Sequence, residues 1–418
     1  MVLFGVFYYR KMKKIQKMVI EMKLIDRKIY LDKLIKLLNT PDIKVITGVR
    51  RCGKSVLLRR LIDYLQETEP DANIIFITLQ ELEYDYLCDY HKLHEYVMRH
   101  QIEGVHNVVL IDEIQLCEKF ELAINSLHAK QKFDIYLTGS NAFLLSSDLA
   151  TLFTGRVMEV KVYPFSFSEY VDYFGVKENF YEAFDEYVRI GGMAGSYFYR
   201  TEEMRYEYIN DVYKTILERD LITKYKVRNK AEFFSISKFA MDNIGNLFSS
   251  NSVSSVFQAH DSSITRKTVD KYMQYLENAF LFYPCKRYDL KGKKFLDNSN
   301  KYYLCDTSFR YAVNGTNNLD FGRMYENIVF IELLRRGYDV YVGKLYQKEI
   351  DFVATKRDEK IYIQVSDNIL DKKTIEREVS PLLQIRDAYP KTIIARTGHE
   401  NYYIEGILVT DLSTWLLS

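Results

Sequence analysis

Eight consecutive residues form a pattern that can hold a polyphosphate, because two glycines are followed by a lysine and a hydroxyl. Residues 48–55, GVRRCGKS, match G-x-x-x-x-G-K-[ST] at every fixed position. Gly48 and Gly53 permit turns that point backbone N–H groups inward around phosphate oxygens. Lys54 can contact the β- and γ-phosphates, and the Ser55 hydroxyl can ligate Mg²⁺. The predicted nucleotide contacts are Gly48, Val49, Arg50, Arg51, Cys52, Gly53, Lys54, Ser55 and Val56.

Two carboxylates follow an apolar strand pattern further along the chain. NVVLID at 107–112 ends in Asp112, and Glu113 comes next. An aspartate at the end of a strand beside a phosphate loop can hold Mg²⁺, and the adjacent glutamate can polarise the attacking water as a general base. The alternative is an acidic helix start, where carboxylates favour the positive end of the helix dipole. The upstream loop favours nucleotide hydrolysis.

Two further polar residues can act on the γ-phosphate. Asn141 follows the next strand pattern and can orient the attacking water, although Ser-Asn after a strand is also ordinary turn chemistry. Arg156 precedes the last strand and can reach a neighbouring subunit's γ-phosphate as an arginine finger; a surface arginine is the alternative. The predicted catalytic residues are therefore Glu113, Lys54, Asn141 and Arg156, and the predicted metal ligands are Ser55 and Asp112.

Short apolar runs alternate with amphipathic stretches from about residue 28 to 165, which predicts an α/β unit. The predicted strands are 44–48, 73–79, 107–112, 133–140 and 157–163. Continuous apolar strands separated by helices indicate a parallel sheet covered on both faces. The phosphate loop then lies between a buried strand and an amphipathic helix, which is the setting that the motif requires.

Length and composition limit the class of protein. With 418 residues, 47% of them hydrophobic, the chain can form two or three domains and is not mainly disordered. With 58 basic and 57 acidic side chains, its net charge of +1 confines any nucleic-acid surface to a local patch. The five cysteines form no CxxC pair, which argues against a zinc site or a disulfide framework. No run reaches the ~20 apolar residues of a membrane span, so we expect a cytoplasmic protein without a membrane partner.

A helix–turn–helix pattern occupies residues 252–276 and is followed by a strand–loop–strand pattern. In its second helix, Val269, Tyr272, Met273 and Leu276 recur at helical spacing and are expected to face a core. The basic residues expected on the exposed side of that helix and on the following wing are Arg266, Lys267, Lys271, Lys286, Arg287, Lys291, Lys293, Lys294 and Lys301. Such a pattern can contact double-stranded DNA, or it can be a solvated face used for protein contact.

The last hundred residues contain carboxylates in the order that metal-dependent nucleases of the restriction type require. Glu326, Asp351 and Gln364 match in kind and order, but Ser366 stands where such nucleases have a lysine. Gln364 is also a weaker metal ligand than a carboxylate. We therefore expect a nuclease-like fold that has lost cleavage.

GVRRCGKS, LIDEIQ, LTGSNAFLLS, the stretch around TGRVMEVKVYPFSFSEY, and RIGGM occur together in this chain. In this combination the chain resembles the prokaryotic AAA-type P-loop ATPases that carry a C-terminal domain of unknown function. The resemblance implies a sensor role for Asn141, a finger role for Arg156, and a restriction-endonuclease-like C-terminal fold. The expected domains are an N-terminal extension (1–27), a P-loop ATPase core (28–165), a helical lid or linker (166–231), a winged helix (232–315) and a nuclease-like α/β unit (316–418).

These expectations describe an ATP-binding protein that uses Mg²⁺ and whose nucleotide state controls its C-terminal half. The expected partners are ATP or ADP, double-stranded DNA through the winged helix, and further copies of the chain. Two alternatives remain open, namely an ATP-gated DNA nuclease and a signalling scaffold that uses nucleotide as a switch and binds proteins.

Overall fold

The computed structural model describes residues 25–139, 153, 155–259, 263–316 and 319–418. Strands and helices alternate at its start, as the apolar pattern predicts. In chain order the elements are α1 (Lys28–Lys36), β1 (Ile43–Thr47), α2 (Lys54–Thr68), β2 (Asn73–Thr78), α3 (Tyr90–Arg99), β3 (Asn107–Asp112), α4 (Phe120–Ala129), β4 (Asp134–Thr138) and β5 (Val157–Lys161). The five strands lie where they were predicted, with small differences at their ends.

These five strands form one parallel sheet in the order β2-β3-β4-β1-β5. Every residue of β1, β3 and β4 is buried, since helices cover both faces, and this explains their uninterrupted apolar runs. β1 lies between β4 and β5, and β4 separates it from β3. Because the carboxyl ends of parallel strands meet at one edge, the residues that follow β1, β3 and β4 are neighbours.

Helices follow the sheet and lead away from it. They are α5 (Phe167–Phe174), α6 (Phe180–Ile190) and α7 (Glu202–Thr215), after which the helix continues as a π-helical stretch (Ile216–Ile222) and a final turn (Thr223–Tyr225). Helix α5 begins with a capping box, in which Ser166 and Glu169 each accept a hydrogen bond from the other's backbone N–H. The π-helical stretch is unusual, because such segments are rare, and they are frequently found at functional sites.

The second half of the chain begins with three helices and a hairpin. These elements are α8 (Lys230–Asp242), β6 (Leu247–Phe248), α9 (Ser250–Gln258), α10 (Arg266–Asn278), β7 (Phe282–Asp289) and β8 (Lys294–Leu304). The remaining elements are α11 (Ser308–Asn314), α12 (Phe321–Arg335), β9 (Asp339–Leu345), β10 (Lys348–Lys356), β11 (Glu359–Ser366), α13 (Lys372–Leu383), β12 (Lys391–Ala395), β13 (Tyr402–Ile404), β14 (Ile407–Asp411) and α14 (Leu412–Leu417).

The hairpin and the C-terminal strands belong to a single nine-stranded sheet, in the order β13-β14-β12-β11-β10-β9-β7-β8-β6. β7 pairs in parallel with β9, for example Arg287 with Val342. The predicted division at residues 315/316 therefore cuts through one sheet. Without a neighbour on this side, β7 would leave backbone N–H and C=O groups unpaired. β9 is that neighbour. It lies much later in the chain, so no local sequence pattern indicates the pairing.

The predicted buried and exposed faces of the second helix in the helix–turn–helix are confirmed. Val269, Tyr272, Met273 and Leu276 of α10 are buried, whereas Arg266, Lys267 and Lys271 are exposed. The inclusion of Lys301 among the basic wing residues is wrong, because its side chain is buried and paired with carboxylates. Of the helices described here, none has the length and apolar character that crossing a membrane requires.

Candidate functional site

The phosphate loop leads from the end of β1 into the start of α2. Gly48 has a φ of 146° and Gly53 a φ of 100°. A Cβ on Gly48 would lie 2.1 Å from the carbonyl oxygen of Val162, so only glycine fits there. In the described part of the chain no side chain caps the N-terminus of α2. Its first N–H groups therefore remain available to an anion, which the helix dipole also favours.

Lys54 and Ser55, the first two residues of α2, lie beside this loop. The Lys54 Nζ donates hydrogen bonds to the carbonyl oxygens of Gly48 (3.0 Å) and Val49 (3.1 Å). Its side chain is buried, while Ser55 is half-buried. Both residues line a cavity of about 400 Å³. The ammonium group is thus held at the loop, close to where phosphate oxygens would lie.

The acidic pair lies at the same edge of the sheet and is held by Thr138, the last residue of β4. The Thr138 hydroxyl donates to the Asp112 carboxylate and accepts a hydrogen bond from the Glu113 N–H at 3.0 Å. Glu113 has a left-handed backbone (φ 56°), and Gln115 donates to its carboxylate. Sequence reasoning did not select Thr138. The available signal was a hydroxyl at the end of a strand just before Asn141.

The cavity has an apolar wall beside its polar loop. Glu113 and residues 50–56 line one part of it, and five further residues supply aliphatic and aromatic surface: Ile25, Phe165, Tyr173, Ala194 and Phe198. The Phe165 and Tyr173 rings meet edge to face with centroids 6.2 Å apart. Ligand sites commonly combine such an apolar lining with a few polar groups. This cavity can therefore accept a flat heterocycle joined to a phosphate chain.

Arg27 contacts the phosphate loop through a hydrogen bond to its backbone, and sequence analysis did not predict this role. Its guanidinium donates to the carbonyl oxygens of Cys52 (2.7 Å) and Tyr163 (2.8 Å), and it makes two hydrogen bonds to Glu169 (2.8 and 2.9 Å). Burial alone would raise the pKa of Glu169, but the Arg27 charge and hydrogen bonds reverse this, and the pKa is lowered. The pair therefore remains ionised inside the protein.

Two loop arginines contact helix α7 and its π-helical continuation. Arg50 makes a bidentate pair with Asp220, through distances of 2.8 Å from Nε and 2.7 Å from Nη2. These hydrogen bonds raise the pKa of Arg50, while burial opposes the shift. Arg51 donates to the Tyr208 hydroxyl at 3.2 Å. The loop is thus tied to the helices that lead towards the C-terminal half.

Of the remaining two predicted catalytic residues, the structure describes Arg156 alone. Asn141 lies outside the described residues. Arg156 is exposed, and its carbonyl oxygen accepts a hydrogen bond from the N–H of Ile43, the first residue of β1. Four residues of extended strand, about 13 Å, separate Ile43 from the loop end of β1. Arg156 therefore lies at the opposite edge of the sheet from its own phosphate loop.

A second connection between the part that contains the five-stranded sheet and the C-terminal half passes through the RIGGM segment, residues 189–193. Gly192 donates from its N–H to the Asp306 carboxylate (2.6 Å) and accepts at its carbonyl from the Phe165 N–H (2.8 Å). A Cβ on Gly192 would lie 2.1 Å from the Phe165 carbonyl oxygen. Burial raises the pKa of Asp306 to about 6, although hydrogen bonds from Ser308 and Gly192 oppose the shift. Phe165, which lines the cavity, is thereby linked through Gly192 to Asp306, the second residue after β8.

The predicted carboxylates Glu326 and Asp351 lie near enough to interact electrostatically. The buried Lys301 pairs with Glu326 and with Glu349, which was not predicted. The Lys301 Nζ lies 2.9 Å from Glu326 and 2.6 Å from Glu349. The Asp351 N–H donates to the Gln364 side-chain oxygen at 2.7 Å. Burial and the Glu326 charge raise the pKa of Asp351. Among the residues that the structure describes, no group of three histidine, cysteine or acidic side chains is arranged to hold a metal ion.

Two family models match the chain. Residues 40–171 match a model described as an AAA domain, which contains the phosphate loop and the acidic pair. Residues 181–320 match a domain of unknown function, which contains most of the helical region, the helix–turn–helix and the wing. The expectation of an AAA domain followed by a domain of unknown function is therefore confirmed, although the second domain precedes the last hundred residues rather than containing them.

Whole-chain relatives extend the similarity further. An uncharacterised protein of Haemophilus influenzae is 37% identical over 399 residues, which cover 94% of this chain and 99% of the relative. An uncharacterised protein of Methanocaldococcus jannaschii is 26% identical over 84% of this chain and 78% of the relative. Domain III of the Thermotoga maritima replication initiation protein DnaA matches with 17% identity over 46% of this chain and 86% of that one. Its TM-score of 0.30 is too low to bear on function.

Proposed function

The chain belongs to the same family as the Haemophilus influenzae protein and carries an AAA domain, and on that premise we propose that it is a Mg²⁺-dependent ATPase. ATP binds at residues 48–56, and its hydrolysis controls the position of the C-terminal half. The observation that carries this proposal is the placement of the phosphate loop and the acidic pair at one edge of the sheet. Thr138, on the intervening strand, orients that pair.

The residues at this edge fit Mg²⁺, because both predicted ligands are hard oxygen donors. They are the Ser55 hydroxyl beside the cavity and the buried Asp112 carboxylate. When bound, the ion would neutralise charge on the β- and γ-phosphates. The Thr138 hydrogen bond orients the Asp112 carboxylate in advance, in the manner of the outer partners that position metal ligands elsewhere.

Glu113 is the proposed general base. Its backbone N–H is held by Thr138 and its carboxylate by Gln115, so that the carboxylate is fixed at the wall of the cavity. There it accepts a proton from the water that attacks the γ-phosphate. The proposed sensor, Asn141, follows Thr138 in sequence. Arg156 acts as a finger on the γ-phosphate of a second copy, since it lies far from its own loop.

Lys54→Ala should weaken ATP binding by about 10- to 150-fold, which corresponds to one charge-assisted hydrogen bond. The ammonium also bridges the Gly48 and Val49 carbonyl oxygens, so its loss loosens the loop as well. Isothermal titration with ATP and Mg²⁺ measures the change. Lys92→Ala, an exposed lysine on α3, is the matched control and should bind as the wild type does. Equal affinity in Lys54→Ala would contradict the proposal.

Arg50 and Asp220 are the proposed route by which the nucleotide acts on the C-terminal half. Arg50 lies within the phosphate loop, and Asp220 lies in the π-helical stretch that precedes α8. A phosphate chain in the loop competes with Asp220 for the Arg50 guanidinium, because both are anionic and match its bidentate geometry. Nucleotide binding therefore loosens the contact between the loop and the π-helical stretch.

Asp220→Asn should uncouple the π-helical stretch from the nucleotide. In the wild type, we expect a non-hydrolysable ATP analogue to speed amide hydrogen exchange in residues 216–225 by about 10-fold or more, the value of one charge-assisted pair. In Asp220→Asn, exchange should be fast with and without the analogue. Asp211→Asn, on the exposed side of α7, should respond as the wild type does. A normal nucleotide response in Asp220→Asn would exclude this route.

We further propose that residues 232–315 act as a winged helix on double-stranded DNA. The order α8, β6, α9, α10 and the β7–β8 hairpin, with β6 paired to β8, supports this assignment. The exposed cations Arg266, Lys267 and Lys271 on α10 would contact phosphates. The C-terminal unit is proposed to be nuclease-like in fold but without cleavage, because Ser366 replaces the expected lysine and Glu326 is already paired with Lys301.

A further inference from the structure

A second groove lies between the tip of the wing and the C-terminal part of the sheet. It shares no residue with the nucleotide cavity or with the exposed face of α10, although Lys291 and Lys293 belong to the predicted wing. It encloses about 980 Å³. The β7–β8 turn forms one side, and the β9–β10 turn, the start of β11 and the segment after α13 form the others. We call it the wing groove and define it by Lys291, Lys293, Tyr346, Lys360, Arg386 and Tyr389.

The wing groove is strongly positive in a chain that is almost neutral. Four cations line it, and Asp387 is the one carboxylate among the lining residues that the structure describes, which leaves an excess of three positive charges. Asp387 is already engaged, since it accepts from the Tyr362 hydroxyl at 2.5 Å and lies 3.6 Å from the Lys360 Nζ. The Lys291, Lys293 and Arg386 side chains are exposed. An anionic partner therefore suits this surface.

Exposed tyrosine rings lie among these cations. Tyr346 is 59% and Tyr389 44% exposed. The Lys291 Nζ lies 4.6 Å from the centre of the Tyr346 ring, and the Lys360 Nζ lies 5.2 Å from that of Tyr389. Rings and cations arranged in this way offer flat surfaces for stacking beside charges for phosphates.

The backbone holds Tyr346 at some conformational cost. Leu345 pairs with Lys348, so that Tyr346 and Gln347 form a two-residue turn. Tyr346, at the first position of this turn, has a φ of 57°. Glycine is usually preferred at that position, because it adopts a positive φ without strain. Lys293, at the tip of the wing, likewise has a φ of 49°. Tyr346 and Lys293 thus occupy backbone conformations that glycine would adopt with less strain, and both side chains line the groove.

We propose that the wing groove binds single-stranded nucleic acid, with its cations on phosphates and Tyr346 and Tyr389 stacked on bases. An acidic peptide would satisfy the charges but leave the rings without a matching partner. A duplex would keep its bases stacked on each other and out of reach of the tyrosines. The proposal is independent of ATP hydrolysis and uses residues other than the exposed face of α10.

Fluorescence anisotropy of the full-length protein with labelled dT15 tests the proposal. Tyr346→Ala should weaken binding by about 5- to 150-fold, the value of stacking one base, and Tyr346→Phe should retain it. Lys291→Ala with Lys293→Ala should weaken binding and make it less sensitive to salt. Lys130→Ala with Lys132→Ala, two exposed lysines directly after α4, should bind dT15 as the wild type does. All these residues are exposed, so the variants should keep the wild-type circular dichroism spectrum.

Several outcomes would overturn the proposal. Equal dT15 affinity in Tyr346→Ala and Tyr346→Phe would exclude stacking. Tighter binding of a 15-base-pair duplex or of a labelled poly-glutamate peptide, with the same dependence on Lys291 and Lys293, would identify another class of partner. The Lys54→Ala protein should still bind dT15, so a failure of the proposed ATPase function and a failure of this proposal give different results.

Discussion

Glu113→Gln should bind ATP as tightly as the wild type and hydrolyse it about 10²- to 10⁴-fold more slowly, the usual contribution of a general base. Glutamine preserves the shape of the side chain and can still form a hydrogen bond with Gln115, but it cannot accept a proton from water. Its backbone N–H would still donate to Thr138, so the Asp112 carboxylate should stay in place. Titration with ATP measures binding, and phosphate release measures turnover.

Glu118→Gln provides the matched control for this experiment. Glu118 is exposed and lies five positions further along the same segment, and its variant should turn over ATP at the wild-type rate. If Glu113→Gln kept full turnover, another group would have to act as the base. If it lost ATP binding as well, the defect would lie in the geometry of the site rather than in proton transfer.

Arg27→Met should lower the free energy of unfolding by about 3–5 kcal/mol, because it leaves the buried Glu169 carboxylate without its cation. The same change removes the hydrogen bond to the Cys52 carbonyl oxygen, so the phosphate loop should loosen and ATP affinity should fall. Urea unfolding followed by circular dichroism measures the first effect, and titration with ATP measures the second.

A double-mutant cycle separates the ion pair from general packing. Glu169→Gln keeps the capping box, since glutamine can also accept from the Ser166 N–H. The combined Arg27→Met and Glu169→Gln variant contains neither buried charge. It should therefore be more stable than the sum of the two single losses predicts, by about 1 kcal/mol or more. Additive losses would show that the charges do not depend on each other.

The parallel sheet and its phosphate loop could be predicted from the sequence because their signals are local. A buried parallel strand appears as an uninterrupted apolar run, and the loop must have glycine at positions 48 and 53 and a lysine at 54. Asp112 and Glu113 could be predicted because they follow directly on such a run. In each case one short segment contains the whole physical requirement.

The residues that local signals missed act through distant partners. Arg27 and Glu169 are separated by 142 positions, and Arg50 and Asp220 by 170, so nothing near either residue marks the pair. Lys301 was assigned to the wing because it lies in the same strand–loop–strand pattern as five other basic residues. Its burial depends on Glu326 and Glu349 of later elements. The pairing of β7 with β9 escaped prediction for the same reason.

That pairing has a mechanical consequence. Since the hairpin and strands β9–β14 share hydrogen bonds in one sheet, the wing is not an appendage that swings on a hinge of its own. A movement that starts when Arg50 releases Asp220, and that passes through α8, would therefore turn α10, the hairpin and the last hundred residues together. Under the proposed function, the C-terminal half would therefore move as one rigid body, and a nucleic acid bound in the wing groove would move with it.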